Sequence, residues 1–406
     1  MAGHLPLRAP RPRRPALAGR DPLGRALAPR ARFLLNRDGL KVIFDTCALF
    51  DDLSMTGLSS RTILGQAKRG KFDLVMPQVV FLEMVNKMRE RIETATGKMA
   101  KGASSLRKIG VGDGIAPPDP APLTKKFTAD LEARIADAGT LVPIAGVGHE
   151  ELVARSIKGT RPFRSSGVGY RDALIWLTVL EQADEHDVVF VSGNSKDFAE
   201  EGKLHPVLAE EVAWCKHSVT LLETVEEFIE KFVPPADQAL AKAQQLLSDA
   251  FFKAGLEGEI FDLLIDEGRW PYHSAIALVP NQPEGLLNEG PLMIGVASGD
   301  PLTVRIEDAV EFDPEDEVAV LTISVTAELL LDLLFDKGDA HWLLESEAEI
   351  SFYDFDYNET YAAGQTLVYV KGELQALFKD DQIEQLELIS LEDLPADDPD
   401  HPASQN

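Results

Sequence analysis

The chain has 406 residues, 45% of them apolar, which leaves room for two or three ordinary globular domains. No run is apolar and long enough to span a bilayer, and two cysteines, Cys47 and Cys215, give neither a disulfide framework nor a zinc spacing. The formal charge of −27 is unevenly spread. Residues 241–406 hold 36 acids against 7 bases, so the rest is close to neutral and whole-chain acidity does not exclude a nucleic-acid partner.

Residues 1–36 form an Arg/Pro-rich arm without apolar period, expected to be disordered. A nucleic-acid contact, a targeting segment and an upstream extension are all open for it, with the bland readings together ahead of a specific role. It lacks the apolar core of a secretory signal. With both cysteines expected as packed thiols, a reducing, cytoplasmic location is expected.

Residues 37–235 alternate strands and helices. Strands are expected at 42–45, 73–76, 140–144, 187–192 and 219–222. Helices are expected at 58–68, 78–92, 124–138, 150–157, 170–183 and 224–232, with a loop over 97–122. This order predicts an α/β domain, a parallel sheet with helices on both faces. Pro234-Pro235 closes it. Residues 236–270 are expected as a helical connector, built on an amphipathic helix over 239–254. Residues 271–395 read as a smaller β-rich acidic domain, because 318–329, 347–355, 366–378 and 383–391 mostly alternate apolar and polar. Residues 396–406 are an acidic tail.

"VIFDTCALF" runs three buried-type residues straight into Asp45. Ligands of open α/β sheets sit beyond the carboxyl ends of the strands, so Asp45 there is a candidate ligand or base. It serves equally as a turn cap. Glu83 lies among Val79, Val80, Phe81, Leu82, Met84 and Val85. Its bland alternative is a solvated pair with Lys87. Asp172 opens an apolar helix, where it either interacts with the helix dipole or belongs to a site. Ser192, Asn194 and Asp197 follow a strand in "VVFVSGNSKDF", as turn and cap residues or as ligands. If these acids converge they repel one another. Hard divalent cations, Mg²⁺ or Mn²⁺, relieve such repulsion through oxygen ligands and activate water against a phosphodiester.

The order "IFDTCALF", "PQVVFLEMVNK", "GYRDALIW", "VVFVSGNSKDF" resembles the PIN nuclease family over residues 40–232, closest to its bacterial PIN-like branch with an extra C-terminal region. The resemblance implies Asp45, Glu83 and Asp172 as metal ligands in a hydrolase, a metal-dependent endoribonuclease acting on single-stranded RNA, less often DNA. The family's fourth group lies in a turn matched by Ser192 and Asn194, with Asp197 three residues on. Asn194 stands where Asp is commoner, so Asn194 and Asp197 both stay open as the fourth ligand. Arg155, Lys158, Arg161 and Arg164 precede Asp172 and are placed to meet phosphates, or form a solvated basic loop. Thr46 and Ser192 would support the ligands by hydrogen bonds.

Two other readings compete. An aspartyl phosphotransferase would need a second acid two residues after Asp45, where Cys47 stands. A catalytically weak PIN-fold RNA-binding or scaffold protein is kept open by Asn194. The acidic C-terminal domain reads first as a structural domain that keeps the protein soluble, and it is expected to modulate activity rather than create it, for instance by holding a protein partner, forming a homo-dimer or shielding the nuclease. No membrane partner is expected.

Overall fold

The computed structural model describes residues 39–108, 116–146, 148–164, 166–266, 292–345, 350–357, 359–394, 398 and 401. The arm 1–36, most of the tail 396–406 and residues 271–291 of the acidic segment lie outside them.

Five parallel strands form the first sheet. They are β1 (Lys41–Phe44), β2 (Asp73–Pro77), β3 (Gly139–Val142), β4 (Val188–Val191) and β7 (Val219–Leu222), in the spatial order β3-β2-β1-β4-β7. Two short strands, β5 (Ala199–Glu200) and β6 (Lys203–Leu204), pair separately. The connecting helices are α1 (Leu58–Lys68), α2 (Gln78–Lys108), α3 (Pro120–Ala138), α4 (His149–Lys158), α5 (Tyr170–Ala183), α6 (Ser195–Phe198), α7 (Pro206–Val212) and α8 (Val225–Phe232). Val42, Ile43, Phe44 and Val188–Val191 are all buried, as strands covered on both faces require. Phe228 meets Phe44 and Phe72 edge-on at 5.5 and 5.2 Å on one side of this core. Trp176 packs by Phe190 and Phe198. The strand order reverses at β1, with β2 on one side and β4 on the other, so the crevice beyond Phe44 and Val191 is a topological switch point.

The segment expected as a loop over 97–122 is mostly helical. α2 runs on to Lys108 and α3 begins at Pro120, capped by Asp119, which accepts from Ala121 N at 3.0 Å. Gly97 and Gly102 stand on open faces of α2, where glycine weakens a helix without ending it. Helix 239–254 is instead two helices, α9 (Asp237–Leu246) and α10 (Ala250–Ile265). Asp249 restarts the second by accepting from Phe251 N and Phe252 N at 2.9 and 3.0 Å.

The second sheet is antiparallel: β8 (Leu292–Asp313), β9 (Val318–Asp336), β10 (Ile350–Asp354), β11 (Tyr361–Lys379) and β12 (Gln382–Asp393), with α11 (Lys337–Glu345) between β9 and β10. β11 pairs with β9 on one side, and β10 and β12 share its other side. Strand β8 breaks its alternation at five register shifts, which hides it from a period-two reading. At Gly299 a Cβ would meet Leu264 Cβ at 2.9 Å, so this glycine lets α10 lie close on β8. Leu256, Ile260, Leu263 and Leu264 of α10 share a core with the sheet, and the helices expected as a connector therefore pack as part of it.

The two sheets' domains are joined. Val310, Val318, Val320 and Leu377 belong to the core of the parallel-sheet domain. Gln66 Nε2 and Arg69 Nη2 donate to the carbonyls of Glu311 and Phe312 at 2.9 and 2.6 Å. No described helix is long and apolar enough to cross a membrane.

Candidate functional site

Strand pairing continues past β1 and β4. Asp45 N donates to Val191 O at 2.9 Å, and Ser192 N to Leu222 O at 2.9 Å. This sets Asp45 beside Ser192 at the carboxyl edge of the sheet. Asp45 is 4% exposed and caps a 3-10 turn over Thr46–Leu49. Its Oδ1 accepts from Thr46 N at 2.6 Å, and its Oδ2 from Ser192 Oγ at 2.8 Å and Cys47 Sγ at 3.0 Å. Cys47 is an exposed residue rather than a packed one, but its thiol is turned inward onto Asp45. Burial and then the charge of Asp45 push that thiol up to about 12, so it stays protonated and inert.

Glu83 is carried by α2, which follows β2 directly. Its Oε2 accepts from Thr46 Oγ1 at 3.1 Å, and its Oε1 pairs with Arg171 Nη1. The Glu83 partner is thus Arg171 on a neighbouring helix rather than Lys87 one turn along, and Lys87 Nζ lies 6.0 Å from the centre of the Phe50 ring.

Asp172 lies in the first turn of α5. Its carboxyl is pushed up to about 6, by burial first and then by the charges of Asp45, Asp197 and Glu83, with Arg171 opposing. Three acids thus act on Asp172 at this edge. Asn194 Nδ2 donates to Asp172 Oδ1 at 3.3 Å and to Asp197 Oδ2 at 3.0 Å. Asn194 therefore presents its amide nitrogen, a donor, to both carboxylates.

Asp197 is 1% exposed. Arg164 grips it through Nε at 2.8 Å and Nη2 at 2.5 Å, and Arg161 Nη1 adds a contact at 3.3 Å. Burial disfavours its charge, but the hydrogen bonds from Arg164 and Asn194 and the two arginine charges outweigh it. Together they hold the carboxyl below the usual carboxylate range. Gly169 makes this loop possible: it has φ +119°, and a Cβ there would sit 2.6 Å from Pro162 O.

The remaining bases divide. Arg155 pairs with Glu211 at 2.8 Å and Glu151 at 3.4 Å, and Glu211 also accepts from Trp176 Nε1 at 2.7 Å, so Arg155 braces helices. Lys158 is exposed in the last turn of α4. Asp45, Glu83, Asp172, Asn194, Asp197, Thr46, Ser192, Arg161 and Arg164 are thus linked in one hydrogen-bonded and electrostatic network, which Arg155 does not join. The reading of residue types missed Arg171 and the contact from Cys47. The only signal for Arg171 was a base immediately before Asp172 at a helix start, where a cation is out of place.

Residues 42–198 match the family model of the PIN domain. This segment is a PIN domain. No curated protein and no solved structure matches the chain. PIN domains are generally nucleases, and they typically use divalent metal ions.

The donor chemistry here suits such an ion. Asp45, Glu83 and Asp172 offer hard carboxylate oxygens, and the Asp172 carboxyl is raised by burial and, after that, by the charges of the acids round it. Among the described residues no three His, Cys, Asp or Glu side chains are arranged round one common ion position. The acids are instead turned to protein partners: Glu83 to Arg171, Asp197 to Arg164 and Arg161, Asp45 to Ser192 and Thr46.

Proposed function

We propose that this protein is a Mg²⁺- or Mn²⁺-dependent endoribonuclease that hydrolyses phosphodiester bonds of single-stranded RNA. The observation that carries the reading is Asp172: a carboxyl pushed up to about 6 by burial first and then by the charges of Asp45, Asp197 and Glu83, at the switch point of a PIN-domain sheet. Asp45, Glu83 and Asp172 would hold the ion. When bound it would supply a Lewis acid and a water activated for attack on phosphorus. Ser192 and Thr46 orient the ligand carboxylates by donating to Asp45 and Glu83. Asn194 holds Asp172 and Asp197 together across the turn. Lys158, which is exposed, is available to phosphates along the strand.

Asn194 and the arginine-paired acids favour a second reading, a PIN-fold RNA-binding protein with weak or no cleavage. The test is hydrolysis of generic single-stranded RNA and DNA with Mn²⁺, comparing wild type with Asp45→Asn and using circular dichroism as the folding control. Cleavage of RNA by wild type and its loss in the folded variant are expected. RNA binding without cleavage by wild type would favour the second reading, and unchanged cleavage by the variant would remove Asp45 from the chemistry.

A further inference from the structure

Arg171 pairs with Glu83, a candidate metal ligand, from the rim of the site. Its Nη1 contacts Glu83 Oε1, while Glu83 Oε2 is taken by Thr46 Oγ1. The two partners are unequally placed: the Glu83 side chain is 15% exposed and that of Arg171 is 64% exposed. A pair with one member standing in water is weak and is screened by salt. Arg171 also stands in the first turn of α5, where the helix dipole disfavours a cation. Helix stability therefore gives no reason for an arginine there.

The loop arginines behave differently. Arg164 is fixed by two contacts to the buried Asp197, and Arg161 adds a third and also bonds the carbonyl of Lys196. Both are anchored to an acid that stays with them. Arg171 is held by one nitrogen and is the neighbour of Asp172 in the chain.

We propose that Arg171 is a positioning residue that exchanges partners: it holds Glu83 while the site has no cation, and it turns to a phosphate of the RNA once Glu83 serves the metal. The inference rests on the metal-nuclease reading above. A planar guanidinium suits a phosphate, and the Arg171 side chain, 64% exposed and held by one contact, is open to one. One consequence separates this role from that of a simple brace. Removing the charge of Arg171 leaves Glu83 uncompensated, so metal binding and RNA binding change in opposite directions.

The experiment compares wild type, Arg171→Gln and Arg171→Lys. Mn²⁺ binding is measured by calorimetry without RNA, and KM and kcat for single-stranded RNA are measured at saturating Mn²⁺ over a salt series. R171Q is expected to bind Mn²⁺ about three- to tenfold tighter, as loss of a competing charge allows. Its KM should rise several-fold, and the salt dependence of log KM should flatten by about 0.7, one phosphate contact on a single strand. R171K keeps the charge but loses the planar fork, so its Mn²⁺ affinity stays near wild type while its KM rises. R171K gives this reading even if R171Q folds poorly. Equal or weaker Mn²⁺ binding by folded R171Q would make Arg171 a brace for Glu83 and overturn the proposal. A wild type that takes up no Mn²⁺ would overturn the metal reading itself, and this inference with it.

Discussion

Asn194 donates its side-chain amide to Asp172 at 3.3 Å and to Asp197 at 3.0 Å, so a neutral donor stands where two acids would otherwise face each other. This gives different roles to the two turn residues that sequence left as alternatives. Asn194 touches an acid of the candidate metal group, whereas Asp197 is neutralised by Arg164 and Arg161.

Asn194→Asp replaces that donor with a third carboxylate. Without metal the variant should melt several degrees below wild type, because like charges at hydrogen-bond distance repel. With Mn²⁺ the order should narrow or reverse, since the added charge strengthens ion binding and bound ion stabilises by mass action. Asp197→Ala should instead melt lower with and without Mn²⁺, by a similar amount, because it leaves two arginines unpaired. Melting curves in chelator and in Mn²⁺ decide it. A larger loss of Mn²⁺ stabilisation in Asp197→Ala than in Asn194→Ala would make Asp197 the ligand.

Asp172 predicts a pH dependence in the metal-free protein. Its carboxyl is pushed from the ordinary 3.8 to about 6, chiefly by burial, then by Asp45, Asp197 and Glu83. A carboxyl whose folded pKa lies above its unfolded value favours the native state while protonated. That contribution is lost as pH rises from about 4 through 6. Two units would be worth about 3 kcal/mol, and partial exposure reduces this to about 1 kcal/mol. Asp172→Asn should therefore stabilise the metal-free protein at pH 7 and change little at pH 4. Denaturant titrations at the two pH values measure it, and an equal effect at both would remove the electrostatic account.

Much of this was legible in the sequence. The β1 run into Asp45, the apolar helix behind Asp172 and the polar turn after Val191 carry local signatures, and the family motifs join them. The partners were not legible. Arg171 reaches Glu83 across 88 positions and Arg164 reaches Asp197 across 33, and no local pattern encodes such pairs. α2 was cut short because Gly97 and Gly102 look like breakers until the open space round them is seen. β8 was missed because its register shifts erase the alternation that marks a strand.

The joint between the domains includes a helix cap supplied from afar. Gly57, the N-cap of α1, has no side chain to cap with, and Glu387 Oε2 of β12 accepts from Leu58 N at 2.7 Å. A carboxylate at a helix N-terminus is favourable both as hydrogen-bond acceptor and against the dipole. Glu387→Ala should destabilise the whole chain by about 1 kcal/mol, the usual size of a lost cap. Glu387→Gln keeps an acceptor and should lose less. Urea denaturation measures both, and a full-sized loss in Glu387→Gln would assign the effect to charge rather than capping.

The last prediction concerns the acids that line the cleft between the domains. A cavity of about 860 Å³ starts at Ala48, three residues beyond Asp45, and is lined by Asp51, Asp52, Glu226, Glu373 and Glu387, among others. The carboxyls of Glu226 and Glu373 are both raised, each by burial first. Asp51 adds to the effect at Glu226, and Glu226 and Glu392 add to it at Glu373. Their contribution to stability is present when they are protonated and is lost as pH rises through their raised values. Glu373→Gln should therefore raise the melting temperature at pH 7 more than at pH 4. It also removes one negative charge from a wall of the cleft between the domains. Within about one Debye length, roughly 8 Å at physiological salt, such a charge repels RNA. RNA affinity should then rise in the variant, most at low salt where screening is weakest. Anisotropy titrations of a labelled single-stranded RNA in chelator, across a salt series, test this on the full chain. Weaker RNA binding by folded Glu373→Gln at every salt concentration would mean that the acidic sheet domain helps to hold the substrate rather than shield the nuclease from it.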